Sequence, residues 1–355
     1  MIKVLVVEDS PVVREFLVHI LGSDPGIRVV GTAHDGEDAL EAVRRWQPDV
    51  ITMDIHMPGM DGLEATRRIM ETAPTPIVIV SGSEDPREVS TTFDAIEAGA
   101  LAVLRRPAGI GHPDHEVTAR EVVQTVKLMS EVKVVRRWSR ARRSAPPRPA
   151  EVRLAREPAM VRIVAIGAST GGPPALQTLL AALPLDFPAP LVIVQHMAAG
   201  FVRGFVDWLA HASSLPIHLP AHGELMVPGH VYVAPDEHQM KVDRGGRLAL
   251  TKDEPENGLR PSVAYLFRSV AEAYGCDAVA ALLTGMGRDG AEELRRLKEK
   301  GAITFAQDKE SSVVHGMPGE AILLDAATHV LSPGGIGAAL AALATASRNA
   351  RRNKP

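Results

Sequence analysis

Two consecutive α/β domains, each a doubly wound parallel sheet, are the fold class that the sequence predicts. The chain has 355 residues, which is more than one typical domain. Short apolar strands alternate with amphipathic helices in two separate stretches, a pattern typical of parallel sheets with helices on both faces. A segment rich in proline and arginine lies between the two stretches. We therefore expect each stretch to fold as its own domain.

The composition is that of a soluble globular protein. Hydrophobic residues make up 45% and charged residues 23%, and the formal net charge of −4 favours neither nucleic acid nor a membrane surface as a partner. The single cysteine, Cys276, excludes an internal disulfide and is typical of a reducing cytoplasm. The chain begins with a strand-like segment followed by acids, so we expect no signal peptide and a cytoplasmic location.

The first stretch predicts five strands and five helices in alternation. The predicted strands cover 3–7, 28–32, 50–53, 77–81 and 101–105, and the predicted helices cover 12–22, 36–46, 62–71, 87–98 and 117–138. The last helix depends on Val122, Val126 and Met129, which recur at helical spacing.

A basic and proline-rich segment marks the domain boundary. Five arginines fall within 136–143, and three prolines follow within 144–149. Prolines at this density stop a helix and form a semi-rigid spacer. A short basic run with few aromatic residues is more typical of a charged linker than of a nucleic-acid site. We therefore predict a first domain over 1–125, a helix end and linker over 126–158, a second domain over 159–347 and a basic tail over 348–355.

The second stretch repeats the alternation and adds a hairpin. Its predicted strands cover 161–166, 190–195, 277–283 and 302–306, and its predicted helices cover 172–183, 201–211, 261–273, 289–300 and 336–346. The hairpin has strands near 238–243 and 247–251 around the turn Gly245-Gly246.

Charged and hydroxyl side chains stand at the strand ends of the first domain. Glu8 and Asp9 follow the first strand and Asp54 follows the third, while Ser81 and Arg106 end the fourth and fifth. The carboxyl ends of parallel strands meet at one edge of a sheet. Crowded carboxylates favour a divalent cation, and Mg²⁺ prefers oxygen ligands. Each acid alone is more typical of a helix cap, but the five together suit the formation of an aspartyl phosphate.

A serine, a histidine and an aspartate follow three predicted strands of the second domain. Gly167-Ala168-Ser169-Thr170-Gly171 fits the G-x-S-x-G nucleophile pattern, in which a strand-to-helix turn exposes the serine. His196 and Asp289 also come after apolar strands, so folding would bring all three to one rim. Alone, His196 would be a structural residue and Asp289 a helix cap. The glycine turn could also be a degraded dinucleotide-binding turn.

The first domain resembles a response-regulator receiver, whose fold is flavodoxin-like. The resemblance covers about 125 residues, and it implies that Asp54 accepts a phosphoryl group from a histidine kinase. It also implies that Glu8, Asp9, Asp54 and the backbone carbonyl of His56 bind Mg²⁺, and that Ser81 is the switch hydroxyl. Receivers of this type usually carry lysine where Arg106 stands, and the two cations are not equivalent at a phosphate site.

The order receiver, linker and Rossmann-like second domain resembles the bacterial chemotaxis protein-glutamate methylesterases. The motifs that carry the resemblance are Gly167-Ala168-Ser169-Thr170-Gly171-Gly172, Gln195-His196-Met197, Leu283-Thr284-Gly285-Met286-Gly287-Arg288-Asp289-Gly290, and Ala306-Gln307-Asp308 with Ser311-Ser312-Val313-Val314-His315-Gly316-Met317-Pro318. His315 stands where an aromatic residue is more usual.

This second resemblance implies a hydrolase that demethylates glutamate methyl esters, and deamidates glutamines, on chemoreceptor helices. Ser169, His196 and Asp289 would form the catalytic triad, the N–H of Met286 would bind the oxyanion, and Thr170 would line the site. Hydrolysis would need no cofactor, and Mg²⁺ would belong to the receiver. We expect a monomer that meets the membrane only through its receptors.

Two other functions remain open from the residues alone. The second domain could be a catalytically dead binding module switched by phosphorylation. A DNA-binding regulator is disfavoured because the second stretch is a large α/β domain without a basic recognition helix.

Overall fold

The protein is described by a computed structural model that covers residues 1–82, 86–132, 134 and 161–352, without the side chains of 86–91 and 346–352. It divides into two compact units, Met1–Pro146 and Pro147–Pro355. The basic run at 136–143 and the prolines that follow it lie outside the described residues.

The first unit contains one five-stranded parallel sheet. Its strands are β1 (Ile2–Val7), β2 (Ile27–Ala33), β3 (Val50–Met53), β4 (Ile77–Ser81) and β5 (Ala102–Arg105), and its helices are α1 (Pro11–Gly22), α2 (Gly36–Trp46), α3 (Gly62–Thr72), α4 (Pro86–Ala98) and α5 (His115–Ser130). The strand order is β2-β1-β3-β4-β5. The chain therefore reverses direction across the sheet beside β1, and the carboxyl ends of β1 and β3 open on the crevice where ligands of such sheets bind.

Local sequence explains these elements well. All four residues of β3 are buried, as expected of a central strand covered on both faces. The side chains of Asp35 and Asp61 accept hydrogen bonds from the first turns of α2 and α3, which fixes where those helices begin. Helix α5 ends at Ser130, so the predicted continuation through 131 and 132 is wrong; part of the remainder lies outside the described residues.

The second unit contains a seven-stranded parallel sheet and a separate hairpin. Its strands are β6 (Ile163–Ala168), β7 (Leu191–Gln195), β8 (Ile217–His218), β9 (Val231–Val233), β10 (Gln239–Val242), β11 (Leu248–Thr251), β12 (Ala278–Leu282), β13 (Ile303–Gln307) and β14 (His329–Leu331). Its helices are α6 (Gly172–Leu180), α7 (Val202–Ala212), α8 (Val263–Ala273), α9 (Ala291–Glu299), α10 (Met317–Leu323) and α11 (Pro333–Arg352).

The sheet of the second unit reverses direction at β6. The strand order is β14-β13-β12-β6-β7-β9-β8, with β10 and β11 paired antiparallel as the predicted hairpin. Strand β6 lies between β7, which follows it in sequence, and β12, which comes much later. The carboxyl end of β6 is therefore a topological switch point, the place where open parallel sheets usually bind ligands.

The short elements of this unit were not predicted from sequence. Strands β8, β9 and β14 have only two or three residues each, and α10 has seven. Helix α11 is longer than predicted and runs through residues assigned to a basic tail, as far as Arg352. No helix within the described residues is long and apolar enough to cross a membrane.

Candidate functional site

Ser169 and His196 follow two neighbouring strands directly. Ala168, the last residue of β6, pairs with Gln195, the last residue of β7, and the His196 N–H donates to the Ala168 carbonyl at 2.9 Å. The N–H of Ser169 donates to the carbonyl of Thr284 on the other side, at 3.0 Å. The serine is therefore fixed between the ends of β7 and β12.

Two glycines make room for the serine turn. Gly171 has φ +77°, and a Cβ atom at this position would lie 2.5 Å from the Cβ of Val313. A Cβ atom on Gly285 would lie 2.7 Å from the Cβ of Ser169 and 2.4 Å from the Sδ of Met317. These distances are shorter than those at which carbon and sulfur atoms pack against each other. The turn therefore requires glycine at both positions.

The N-terminus of α8 holds the carboxylate of Asp289. One carboxylate oxygen, Oδ1, accepts hydrogen bonds from the Ser262 hydroxyl at 3.0 Å and the Ala264 N–H at 3.1 Å. The other, Oδ2, accepts from the Val263 N–H at 2.6 Å and lies 3.0 Å from Nε2 of His196. Each oxygen thus has two close partners, and the positive end of the helix dipole faces the negative charge.

These contacts keep Asp289 ionised although it is buried. Burial raises the pKa of its carboxyl group, but the contact with His196 and the hydrogen bonds from the Val263 and Ala264 N–H groups lower it by more, so the net pKa lies below its ordinary value. The side chains of Asp289 and His196 are only 4% and 10% exposed. A buried carboxylate next to an imidazole can orient the ring and stabilise its protonated form.

Ser169 and His196 directly follow paired residues of β6 and β7, but no hydrogen bond joins the serine hydroxyl to His196 or Asp289. The Ser169 Oγ makes no hydrogen bond with any residue that the structure describes. Within the same residues, Nε2 of His196 lies close to Asp289 without the alignment of a regular hydrogen bond. Catalytic hydrogen bonds are often long before substrate binds. Nε2 is the ring nitrogen of His196 that faces Asp289, so Nδ1 is the one that points away from the carboxylate.

Two backbone N–H groups beside the serine have no acceptor among the described residues. They belong to Thr170, directly after the serine, and to Met286, on the loop after β12. Met286 is also 47% exposed, which is unusual for a large apolar side chain. Free N–H groups at a rim are the donors that stabilise an oxyanion.

Buried polar side chains of the quoted motifs, to which the sequence alone assigned no role, hold these loops together. The Gln195 Nε2 group donates to the carbonyls of both Ser169 and His196 at 2.8 Å. The Thr284 hydroxyl donates to the Thr170 carbonyl at 2.9 Å, and the Thr284 N–H donates to Oε1 of Gln307 at 2.8 Å. A glutamine at the end of an otherwise apolar strand, as at 195 and 307, is the signal that could have revealed them.

The predicted acidic cluster forms in the first unit. Carboxylate oxygens of Glu8, Asp9 and Asp54 lie within 4.8 Å of one another. Burial and the charge of Asp54 raise the pKa of Glu8 to about 7, and burial raises the pKa of Asp54 although Arg106 lowers it. Negative charge is therefore crowded here, and oxygen ligands at this spacing fit the Mg²⁺ ion that receivers bind.

Arg106 already interacts with this cluster. Its Nη2 atom lies 3.1 Å from Oε2 of Glu8 and 3.9 Å from Oδ1 of Asp54, so the guanidinium contacts Glu8 more closely than the expected phosphoacceptor. Ser81 is fully buried at the end of β4, and His56 is exposed two residues after Asp54.

Comparisons with known proteins show which class of protein this chain belongs to. A family model described as response regulator receiver domain matches residues 4–112, and one described as CheB methylesterase matches residues 164–340. The crystal structure of the Thermotoga maritima CheB methylesterase catalytic domain is 38% identical, covers 51% of this chain and 98% of that chain, and has a TM-score of 0.50. The chain is a response regulator with a methylesterase domain.

Full-length relatives then give the particular family. The protein-glutamate methylesterase/protein-glutamine glutaminase of Nitrosospira multiformis is 69% identical over 96% of this chain and 96% of its own length. The protein-glutamate methylesterase/protein-glutamine glutaminase 4 of Geobacter metallireducens is 58% identical over 97% of this chain and 99% of its own length. The chain belongs to the protein-glutamate methylesterase/protein-glutamine glutaminase family of enzymes, as its motifs predicted, and the dinucleotide-binding and DNA-binding alternatives are set aside.

Proposed function

We propose that this enzyme hydrolyses glutamate γ-methyl esters, and glutamine side-chain amides, on the cytoplasmic helices of chemoreceptors, using Ser169, His196 and Asp289. The observation that supports this most strongly is the anchored Asp289 carboxylate, 3.0 Å from the imidazole of His196 at the rim next to Ser169. The names of the full-length relatives support the substrate class.

In the first step Ser169 Oγ attacks the γ-carbonyl carbon and its proton passes to Nδ1 of His196. Asp289 keeps the Nε2 proton in place and stabilises the imidazolium that forms. The N–H groups of Thr170 and Met286 stabilise the tetrahedral oxyanion. Its collapse expels methanol, or ammonia from an amide, which takes the proton from His196 and leaves an acyl-serine.

Water completes the reaction. His196 removes a proton from a water molecule that attacks the acyl carbon. When the second tetrahedral intermediate collapses, the bond from the acyl carbon to Ser169 Oγ breaks, and His196 gives that proton back to the serine oxygen. The products are a receptor carboxylate and free Ser169, and the enzyme needs no cofactor for either step.

The receiver controls this hydrolysis through Asp54. Glu8, Asp9, Asp54 and the carbonyl of His56 would hold Mg²⁺, which when bound neutralises the charge of the phosphoryl group being transferred. A histidine kinase is the phosphoryl donor, and Arg106 and Ser81 contact the aspartyl phosphate. We assign 1–125 to the receiver, 126–158 to a helix end and the linker, 159–347 to the hydrolase and 348–355 to a basic tail, of which residues up to Arg352 continue α11. We expect a monomer that meets membranes only through receptors.

The test of the catalytic assignment is methanol release from methylated receptor membranes. We expect Ser169→Ala to lower the rate by roughly 10⁴-fold or more. Ser213→Ala, which loses only a local hydrogen bond to the Leu215 N–H, is the matched control and should keep the wild-type rate. Near-normal release by Ser169→Ala would remove this serine from the mechanism, and no release by the wild type would favour a binding module.

The test of regulation is acetyl phosphate with Mg²⁺ in the same assay. We expect the intact chain to release methanol faster after phosphorylation and the Asp54→Asn variant to show no increase. An increase that survives Asp54→Asn would contradict the assignment of the phosphoacceptor.

A further inference from the structure

We infer that Ser262 is a positioning residue for the hydrolysis. Its hydroxyl donates a hydrogen bond to Asp289, which fixes the carboxylate and weakens the attraction of the carboxylate for the proton of His196. The inference rests on the proposed role of the His196–Asp289 pair. It adds a fourth side chain, remote in sequence from all three proposed catalytic residues.

The hydroxyl of Ser262 is fully engaged. Ser262 is completely buried, and its Oγ donates to Oδ1 of Asp289 at 3.0 Å while accepting a 3.4 Å hydrogen bond from the N–H of Tyr265. A hydroxyl has a single proton to donate. Because that proton goes to Asp289, the hydroxyl oxygen caps α8 and the hydrogen binds the carboxylate at the same time.

Gln239 fixes Ser262 from the other side. Its Oε1 accepts from the Ser262 N–H at 2.9 Å, and its Nε2 donates to the Leu259 carbonyl at 3.1 Å. Gln239 is also completely buried, on strand β10 of the hairpin. The hairpin therefore supports the N-terminus of α8, which in turn holds the carboxylate of Asp289.

The effect on the imidazole follows from charge. A carboxylate that loses one donor keeps more negative charge available for its other partners, so it holds the imidazolium more strongly. Among the described residues, the other acid that interacts with Asp289 is Glu293, which is paired with Arg268 at 3.4 Å. Neither of these side chains is a hydrogen-bond partner of Ser262, so their ion pair does not depend directly on the Ser262 hydroxyl.

The experiment combines kinetics with the titration of His196. In Ser262→Ala we expect kcat/KM to fall about tenfold, because a hydrogen bond to a charged group is lost. In ¹⁵N NMR spectra of histidine-labelled protein, we expect the His196 imidazole to remain protonated to higher pH than in the wild type. The acidic limb of the kcat/KM profile should move up by the same amount. The His196 resonance is assigned by its loss in His196→Gln.

Three further variants separate positioning from folding. Ser262→Thr keeps the hydroxyl and should restore both readouts, whereas Ser262→Gly keeps a tolerated helix cap without the hydroxyl and should behave like Ser262→Ala. Ser269→Ala is the matched control, because its hydroxyl lies on the same helix and contacts Leu266 and Val242 instead. It should move neither the rate nor the titration.

Two results would overturn the inference. One is a loss of rate in Ser262→Ala and Ser262→Gly without any movement of the His196 titration, which would mean a purely structural role. The other is unchanged kinetics in both variants. The NMR titration does not require turnover, so a failure of the proposed mechanism, seen as activity in Ser169→Ala, is distinguishable from a failure of this inference.

Discussion

Replacement of Asp289 by asparagine tests in detail the geometry of the proposed catalytic residues Ser169, His196 and Asp289. The carboxylate accepts from donors on both oxygens, so an amide NH₂ group must face donors whichever way it is turned. In one orientation it meets the N–H of Val263, and in the other it meets the N–H of Ala264. A backbone N–H of α8 is left without an acceptor in both cases.

The expected magnitudes follow from these contacts. An unsatisfied buried N–H costs about 1–3 kcal/mol of stability, which lowers the melting temperature of a unit this size by roughly 2–4 °C per kcal/mol. The imidazole loses its negative partner and is free to adopt the wrong tautomer, for which the loss of rate in serine hydrolases is about 10⁴-fold. We therefore expect a mild loss of stability and a severe loss of methanol release in Asp289→Asn.

Asp236→Asn is the matched control for this experiment. Asp236 is also an acid that accepts a backbone N–H just before a helix, because its Oδ2 accepts from Gly200 at 2.9 Å. No hydrogen bond or ion pair joins the described side chains of Asp236 and His196. We expect it to lose less than about tenfold in rate. Methanol release and thermal unfolding of both variants are measured together. If Asp289→Asn kept more than a tenth of the wild-type rate while folded, the orienting role of Asp289 would be refuted.

The remaining predictions concern pH, packing and the acidic cluster. Because folding lowers the pKa of Asp289, its carboxylate stabilises the folded state above the ordinary pKa of 3.8, and this stabilisation is lost as the pH falls through the folded pKa. In urea titrations, the free energy of unfolding of Asp289→Asn should therefore fall less steeply at acid pH than that of the wild type. Gly285→Ala should abolish methanol release and destabilise the chain by about 1–3 kcal/mol, because its Cβ would overlap Ser169 and Met317; wild-type kinetics would contradict the packing. Arg106→Gln should bind Mg²⁺ several-fold more tightly in calorimetric titrations, since it removes the cation paired with Glu8, while Arg105→Gln on the exposed end of β5 should bind as the wild type does.

Strand ends were the most predictable part of this molecule. Apolar runs such as those of β6 and β7 are long enough to be recognised, and in a parallel sheet their carboxyl ends must share one edge. Ser169 and His196 could therefore be expected at one rim from sequence, and in the structure they follow paired residues. The acids of the first unit converge for the same reason.

Very short elements could not be predicted from the sequence. The same holds for contacts between polar groups that are far apart along the chain. Strands β8 and β9 are too short to show a periodic pattern, and tertiary pairing alone makes them strands. Ser262 lies 27 residues before Asp289 and reads as an ordinary helix cap, which it also is. Its bond to Asp289 depends on how α8 packs beside β12, which no local pattern specifies. Arg106 could be identified as unusual, but its preference for Glu8 over Asp54 required coordinates.

The most direct measurement is the crystal structure of the enzyme after reaction with a fluorophosphonate, which forms a stable tetrahedral adduct on an activated serine. The account predicts one adduct, on Ser169, with its phosphoryl oxygen bonded to the N–H groups of Thr170 and Met286 and Nδ1 of His196 next to the serine oxygen. An adduct on another serine, or one on Ser169 whose oxygen points away from those N–H groups, would contradict it.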